Sequence, residues 1–486
     1  MIEEANIVIC GLKDVKNMRF EKILKFLLGL FLFLLPWQTI WIFREVFVNG
    51  VKREYLTLGF YATEALLWIV IMMFIMWYWK NYKLQITNYK FKMTKDRVFV
   101  LAVLSLISYL LLSLIWSADK SLALQQSLHI LEAFLLFFIL LLGPLKKEEA
   151  IKWLVFGSIL PCVLGIWQFL TQSTFASTWL GLASHPAWQG GTSVVASETI
   201  GRWLRAYGPF SHPNIFGGYL VIILFLLFFK ERVPTDNSCQ ITNNKWRLFS
   251  FFICQLLLIA VFFTFSRSAW IVAMIIFVCL LFIDITHFKH HGSLFHGIAS
   301  VKLLSVVCYL LFVFLFFPLV QTRLTGNSVS ESYSITDRVS GYSDAWKLFK
   351  QNPILGVGAG NYTLYQTQPA HNAFVLFAVE GGVVGVGLLV MIIITYHLSR
   401  TTYQRDKIFW YVLCGTCYVT LASADHYLYS SYTGLMLSAL FFGLILRRNN
   451  ENTVSPQLVH CSSFDTPDTA CHNTGTRQEP IVGAGA

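Results

Sequence analysis

The sequence predicts an all-α polytopic membrane protein of about twelve transmembrane helices, both termini cytoplasmic, with a large extracytoplasmic loop before the tenth span. Three observations predict it. The chain is 56% hydrophobic and only 13% charged, with a mean hydropathy of +0.59, outside the range of a soluble domain. Its apolar residues form continuous runs near the ~20 that carry a helix across a bilayer, without the alternation of a barrel strand. Its basic residues also divide by side. With twelve spans, 26 of the 37 Lys and Arg fall in the segments on the N-terminal side and 11 in those opposite, which puts both termini inside. The net charge of +11 therefore reads as topology and attraction to anionic headgroups, and a nucleic-acid surface is not needed to explain it.

The spans are expected at about 22–43, 55–79, 98–117, 121–142, 150–171, 211–229, 248–264, 268–285, 301–319, 372–396, 408–425 and 431–446. The first reads as an uncleaved anchor, because its apolar stretch is long and no small-x-small site follows Phe33-Leu34-Leu35-Pro36-Trp37. The fourth carries Gln125, Gln126, His129 and Glu132 in its first half, so it faces the bundle or lies partly at the interface. The membrane domain is expected over 1–448, with long outer loops at 172–210 and 320–371, where function tends to sit. Residues 449–486 change to Asn, Thr, Ser, Pro and Gly and are expected to form a disordered cytoplasmic tail.

The cysteines lie within spans or on the inner side, so no structural disulfide is expected, and Cys414 and Cys417 read as packing thiols rather than a metal or redox pair. His287, His290, His291 and His296 read as a solvated inner loop rather than a metal site. No Walker loop, Rossmann glycine fingerprint, HExxH or Asp-x-Asp is present, which argues against an ATPase, a dinucleotide enzyme, a zinc protease and a metal-dependent sugar-nucleotide transferase. Neither a metal nor a cofactor is expected.

Four stretches carry chemistry, and all fall toward the outer face. Arg205-Ala-Tyr-Gly-Pro-Phe-Ser-His-Pro-Asn-Ile-Phe-Gly-Gly-Tyr219 runs from the first long loop into the sixth span. His212-Pro213 marks a turn, Asn214 suits a helix start, and Gly217-Gly218 permit close backbone approach. The outward N-terminus of that helix and Arg205 together suit an anion. Ser266-Arg267-Ser268 lies in a tight link. An arginine toward the membrane centre costs about 2.5–3.5 kcal/mol, so Arg267 either snorkels to lipid phosphate or meets an anionic partner.

In the stretch Asp337 to Asn361, residues 337–350 predict an amphipathic helix with Val339, Tyr342, Trp346 and Phe349 on one face, able to lie on the outer leaflet. Asn352-Pro353 stops it, and Gly356, Gly358 and Gly360 form either a plain turn or a loop whose amides hold an anion. His371-Asn-Ala-Phe-Val-Leu-Phe-Ala-Val-Glu-Gly-Gly382 opens the tenth span with a histidine at the exit of the largest outer loop.

Together these stretches resemble the O-antigen ligase and polymerase superfamily, which transfers lipid-linked glycans on the outer face of the bacterial plasma membrane. The family's Arg-x-x-Gly-Pro/Thr-Phe-x-His/Asn-Pro-Asn pattern is similar to Arg205 to Asn214, and its Ser-Arg-x-Ala/Gly pattern to Ser266 to Ala269. Its outer-loop Arg, Trp and Pro-x-x-Gly-x-Gly resemble Arg338, Trp346, Pro353, Gly356 and Gly358. Its His-Asn and Glu-Gly resemble His371 to Gly382. The outer loop is short for a family that often carries a larger one.

The resemblance implies a metal-independent glycosyltransferase whose donor is a polyprenyl-diphosphate glycan and whose acceptor is a hydroxyl of a glycolipid, glycan or protein. Its expected seat is the plasma (inner) membrane, with the site on the extracytoplasmic side. Arg205, Arg267 and Arg338 would bind the diphosphate and stabilise the leaving group's charge in place of a metal ion. His371 would take the acceptor's proton, since histidine titrates near neutral pH. His212, Asn214, Gly356 and Gly358 would line the substrate site, and Asp425, beside His426, would orient His371 or an acceptor. Repeat-unit polymerisation fits the same motifs. A transporter or flippase fits the span number, but such folds gather polar residues at mid-membrane. A polyprenyl-monophosphate sugar transferase would use acidic residues in the first outer loop, where Glu45 and Glu54 lack a paired partner.

Overall fold

The computed structural model describes residues 2–82, 95–197, 199–232, 244–288, 309–326, 329–400 and 408–447. It is mostly helical, at 72% helix. The compact unit Met1–Arg447 holds all of these; the second unit, Arg448–Ala486, where the tail was expected, lies outside the described residues, as do the histidines 290, 291 and 296.

The long helices are α1 (Ile2–Leu34), α2 (Ala62–Tyr82), α3 (Lys95–Leu112), α4 (Lys120–Leu142), α5 (Lys147–Thr171), α6 (Pro213–Arg232), α7 (Asn244–Phe263) and α8 (Arg267–Phe288). After a helical stretch at 309–315 come the short α9 (Phe317–Thr325), then α10 (Val329–Gln351) and α11 (Tyr362–Tyr365). The chain closes with α12 (Ala373–Arg400), α13 (Ile408–Ala424), α14 (Tyr427–Ser430) and α15 (Tyr432–Leu446). Among the described residues six helical segments are long and apolar enough to cross a membrane: Ala62–Asn81, Arg97–Ile115, Lys120–Leu142, Lys147–Thr171, Pro213–Lys230 and Ala373–Tyr396. Four shorter apolar helices accompany them. This is the architecture of a helical membrane protein.

The expected first and second spans, 22–43 and 55–79, need correction. Pro36, which cannot continue a helix, ends α1 at Leu34, and the apolar residues that follow are extended. Ile40–Arg44 (β1) pairs antiparallel with Leu58–Tyr61 (β4), and Phe47–Val48 (β2) with Val51–Lys52 (β3), so a twisted ribbon of hairpins separates α1 from α2. Its β-branched and aromatic residues raised the local hydropathy without adding helix. A third hairpin, β5 (Val194–Ser197) with β6 (Gly201–Leu204), stands in the first long loop. Residues 301–308 of the expected ninth span, 301–319, lie outside the described residues, and the rest is helical apart from a turn at Phe316.

The fourth helix answers the question its polar residues posed. Gln126, Ser127, His129 and Glu132 are all buried, so the polar side of α4 faces the bundle. Helix α6 is the innermost, with 83% of its spanning window buried. Glycines at its start make that possible. A Cβ on Gly217 would stand 2.9 Å from the Ala269 Cβ, and one on Gly218 would overlap the Tyr427 hydroxyl. The α6 backbone therefore lies directly against side chains of the head of α8 and of α14 at one end of the bundle, where the first, second and fourth motif stretches and Asp337 of the third come together.

Candidate active site

The link between α7 and α8 is only Thr264-Phe265-Ser266, all three fully buried. Phe265 adopts φ +47°, the left-handed region that a bulky residue enters only when its surroundings hold it there. Two arginines do so. Arg205 Nε donates to the Thr264 carbonyl at 2.7 Å, and Arg323 Nε donates to the Phe265 carbonyl at 2.9 Å. Arg267 follows at the head of α8, half-buried, so three arginines gather about one turn. Arg323 carried no motif and was missed from the sequence; its burial is visible only once α9 is packed.

Arg205 is buried, and its other amino groups donate to Ser193 Oγ at 2.6 Å and Asn214 Oδ1 at 2.7 Å. Asn214 passes the contact on, for its Nδ2 donates to Asp425 Oδ2 at 2.8 Å. The other carboxylate oxygen of Asp425 accepts from the His426 amide at 2.8 Å and lies 3.4 Å from His371 Nδ1. Arg205, Asn214, Asp425 and His371 thus form one connected line across the bundle, from the first motif stretch to the fourth. On its opposite nitrogen His371 faces Asp337, with Nε2 3.6 Å from Oδ2. His371 is partly open to solvent and Asp425 is not.

His212 and His426 complete the wall. His212 Nδ1 accepts from the Asn214 amide at 3.1 Å, closing the turn before α6. Burial, with the nearby Arg205, pushes His212 down to about 3. Burial likewise pushes His426 down to about 4, with His371 adding to it and Asp425 opposing, and its Nδ1 lies 2.6 Å from Ser430 Oγ. Burial by itself would raise Asp425; the hydrogen bond with His371 and the neighbouring His426 and His212 hold it well below the usual carboxylate range. Tyr55, from the turn between the hairpin strands, meets the His426 ring edge-on at 5.6 Å. At neutral pH His212 and His426 are therefore neutral and Asp425 ionised.

Gly356 and Gly358 come to a different place. Both have positive φ, and their loop lies against α12: the Val357 amide donates to the Val379 carbonyl and the Gly358 amide to the Glu380 carbonyl, each at 3.0 Å. The group this loop holds is the carboxyl of Glu380, which accepts from the amides of Gly360 at 2.8 Å and Tyr362 at 3.3 Å and from the Tyr429 hydroxyl at 2.8 Å. The loop that suited an external anion holds the protein's own carboxyl group. Arg338, next to Asp337 on α10, is half-buried, and its Nε has no hydrogen-bond partner among the described residues. The expected leaflet face of that helix, Val339, Tyr342 and Trp346, is exposed, while Ala345 and Leu348 pack inward.

Asp337, Ser193, Tyr55 and Arg323 are the site residues the sequence left unmarked. Asp337 stood at the head of a quoted motif, so its place beside the basic stretch was a usable signal. Ser193, just before β5, and Tyr55, in the 3-10 turn Glu54–Leu56 before β4, lie in segments that carry no pattern of their own.

Residues 252–390 match the family model described as O-antigen ligase, which supports the O-antigen ligase superfamily, a group of glycosyl-transferring membrane proteins. The matched segment runs from α7 into α12 and contains Arg267, Asp337, Arg338 and His371; Arg205, Asn214 and Asp425 lie outside it and reach it through the contacts above. A comparison with curated proteins finds no match.

Proposed function

We propose that the protein transfers a glycan from a polyprenyl-diphosphate donor to an acceptor hydroxyl on the extracytoplasmic face of the bacterial plasma membrane, with His371 as general base. The observation that carries this is the connected line Arg205, Asn214, Asp425 and His371. A buried carboxylate on Nδ1 favours the tautomer whose Nε2 lone pair points away from it, toward the part-open side. The acceptor hydroxyl approaches there, beside Asp337. It attacks the anomeric carbon, His371 takes its proton, and the glycosyl–oxygen bond breaks with its electrons leaving on the polyprenyl diphosphate.

A diphosphate leaving group needs charge stabilisation rather than protonation. Arg267, at the N-terminus of α8, and Arg338, with its unpartnered Nε, supply the direct contacts. Arg205 spends its described hydrogen bonds on Thr264, Ser193 and Asn214, so it adds positive charge and positions Asn214 and Asp425. His212 and Asn214 hold the turn on which this geometry depends. Twelve spans with inner termini put the long loops outside, and the surplus of inner Lys and Arg supports that orientation.

The test is transfer by the purified protein in detergent from a labelled undecaprenyl-diphosphate oligosaccharide, with EDTA present. Acceptors are a lipid A core, a second donor molecule and a peptide. Transfer that survives EDTA and is lost in His371→Ala and Arg267→Ala is expected, and the productive acceptor separates ligation from polymerisation. Donor movement across proteoliposome membranes without transfer would overturn the reading in favour of a transporter.

A further inference from the structure

A second buried polar group lies on α2 and α4, apart from His371. Glu64 sits in the first turn of α2, and His129 and Glu132 are three residues apart on α4, the spacing that puts both on one helix face. One donor atom from each falls within 4.8 Å of the others, and all three residues are buried. The surroundings are aromatic: Tyr61 stacks on Tyr432 with ring centroids 4.7 Å apart, and the His129 ring lies 5.3 Å from that of Tyr432. The Tyr61 amide donates to Glu64 at 3.1 Å and Trp68 Nε1 donates to Glu132 Oε1 at 2.6 Å. After these bonds, His129 Nε2 and Glu132 Oε2 have no hydrogen-bond partner among the described residues, and no lysine or arginine there pairs with either carboxylate.

Two carboxylates and an imidazole in an apolar wall are costly unless shared protons or a cation join them. The distances suit one. His129 Nε2 stands 3.7 Å from Glu64 Oε2, too far for a hydrogen bond. A tetrahedral ion with bonds of about 2.1 Å sets its donors about 3.4 Å apart. The unpartnered atoms are a nitrogen and a carboxylate oxygen, a set that suits a divalent transition metal better than calcium or magnesium. We propose that Glu64, His129 and Glu132 bind one such ion, zinc before manganese, and that it clamps α2 to α4.

Trp68, hydrogen-bonded to the non-coordinating oxygen of Glu132, orients that ligand. The clamp steadies α4, whose Gln126 holds the Tyr429 carbonyl at 2.7 Å and so fixes α14 beside Asp425. The ion is structural, and its presence does not depend on the transfer reaction.

The experiment measures metal on the full-length protein in detergent, loaded with excess Zn2+ and desalted, by elemental analysis. The wild type is compared with a His129→Gln, Glu132→Gln double variant. About one ion per chain more in the wild type is expected; any ions on the inner histidines and tail cysteines contribute equally to both and cancel. Protein loaded with Co2+ should also show the visible ligand-field bands of a low-coordinate N/O site. Equal metal in the two proteins, or a wild type that binds none, would overturn the proposal and leave three groups sharing protons. If the variant does not fold, the wild-type cobalt spectrum decides, and featureless visible absorption overturns it.

Discussion

His371 meets a carboxylate on each ring nitrogen, and only the one on Nδ1 is fully buried. That asymmetry divides the two contacts between orientation and chemistry. Asp425 cannot leave, because Asn214 and the His426 amide hold both its oxygens, whereas Asp337 is half-buried on α10. Replacing Asp425 with Asn keeps the shape and removes the charge that stabilises an imidazolium. We expect kcat to fall by about 10²-fold or more with KM nearly unchanged, measured in the transfer assay; a change confined to KM would make Asp425 a binding residue instead. The lowered histidines have a consequence for stability. His212 and His426 stay neutral in the folded protein below the pH at which they charge when unfolded, so the unfolded state binds more protons as pH falls. Stability present above about pH 6.5 is lost through the window from there down toward 4, by roughly 1 kcal/mol per histidine per pH unit. Thermal melting in detergent should drop steadily from pH 7 to pH 5, and His426→Gln should flatten part of that slope.

The glycine loop between α10 and α11 shows how an element can resemble a ligand site and serve packing. Glu380 fills it, and the glycines allow the backbone to reach α12. A Cβ on Gly356 would stand 2.3 Å from the Glu380 carbonyl, whereas one on Gly358 would meet the Ser117 side chain. Both positions also need positive φ. Gly356→Ala should therefore cost folded yield and melting temperature with no single compensating change, while Ser117→Gly should restore part of what Gly358→Ala loses. Equal losses without rescue would show that the positive φ, rather than the side-chain overlap, dominates at Gly358. The short link at 264–266 is the complementary case, a turn without glycine in which Arg205 and Arg323 hold the strained carbonyls. Sequence periodicity marks α4 or α6 readily but cannot mark a turn of this kind, because its conformation is imposed by contacts from other segments.

At the scale of the molecule, the proposed orientation predicts which surfaces meet the outside. Cysteines introduced at Trp188 and Lys347, both well exposed, should react with a membrane-impermeant maleimide on intact spheroplasts, while one at Thr402 should react only after lysis. The reverse pattern would invert the topology and remove the proposed site from the outer face. Membrane class, helical spans and the basic motif residues were legible in the sequence, because hydropathy and loop charge are local properties that the bilayer reads one segment at a time. His371 and Arg205 were legible for the same reason, as polar groups at the ends of apolar runs. Their connection was not: Asn214 and Asp425 are 211 residues apart, and only the packing of α6 against α14 through Gly218 brings them within a hydrogen bond. The hairpins that shorten the first two spans and the Glu64, His129 and Glu132 group depend likewise on cross-strand and cross-helix partners. What the sequence determined by itself is that the chain is a helical membrane protein and which of its apolar runs are helices. The tertiary structure decided which of its polar residues meet, because a buried polar contact forms only where packing removes water and supplies the partner.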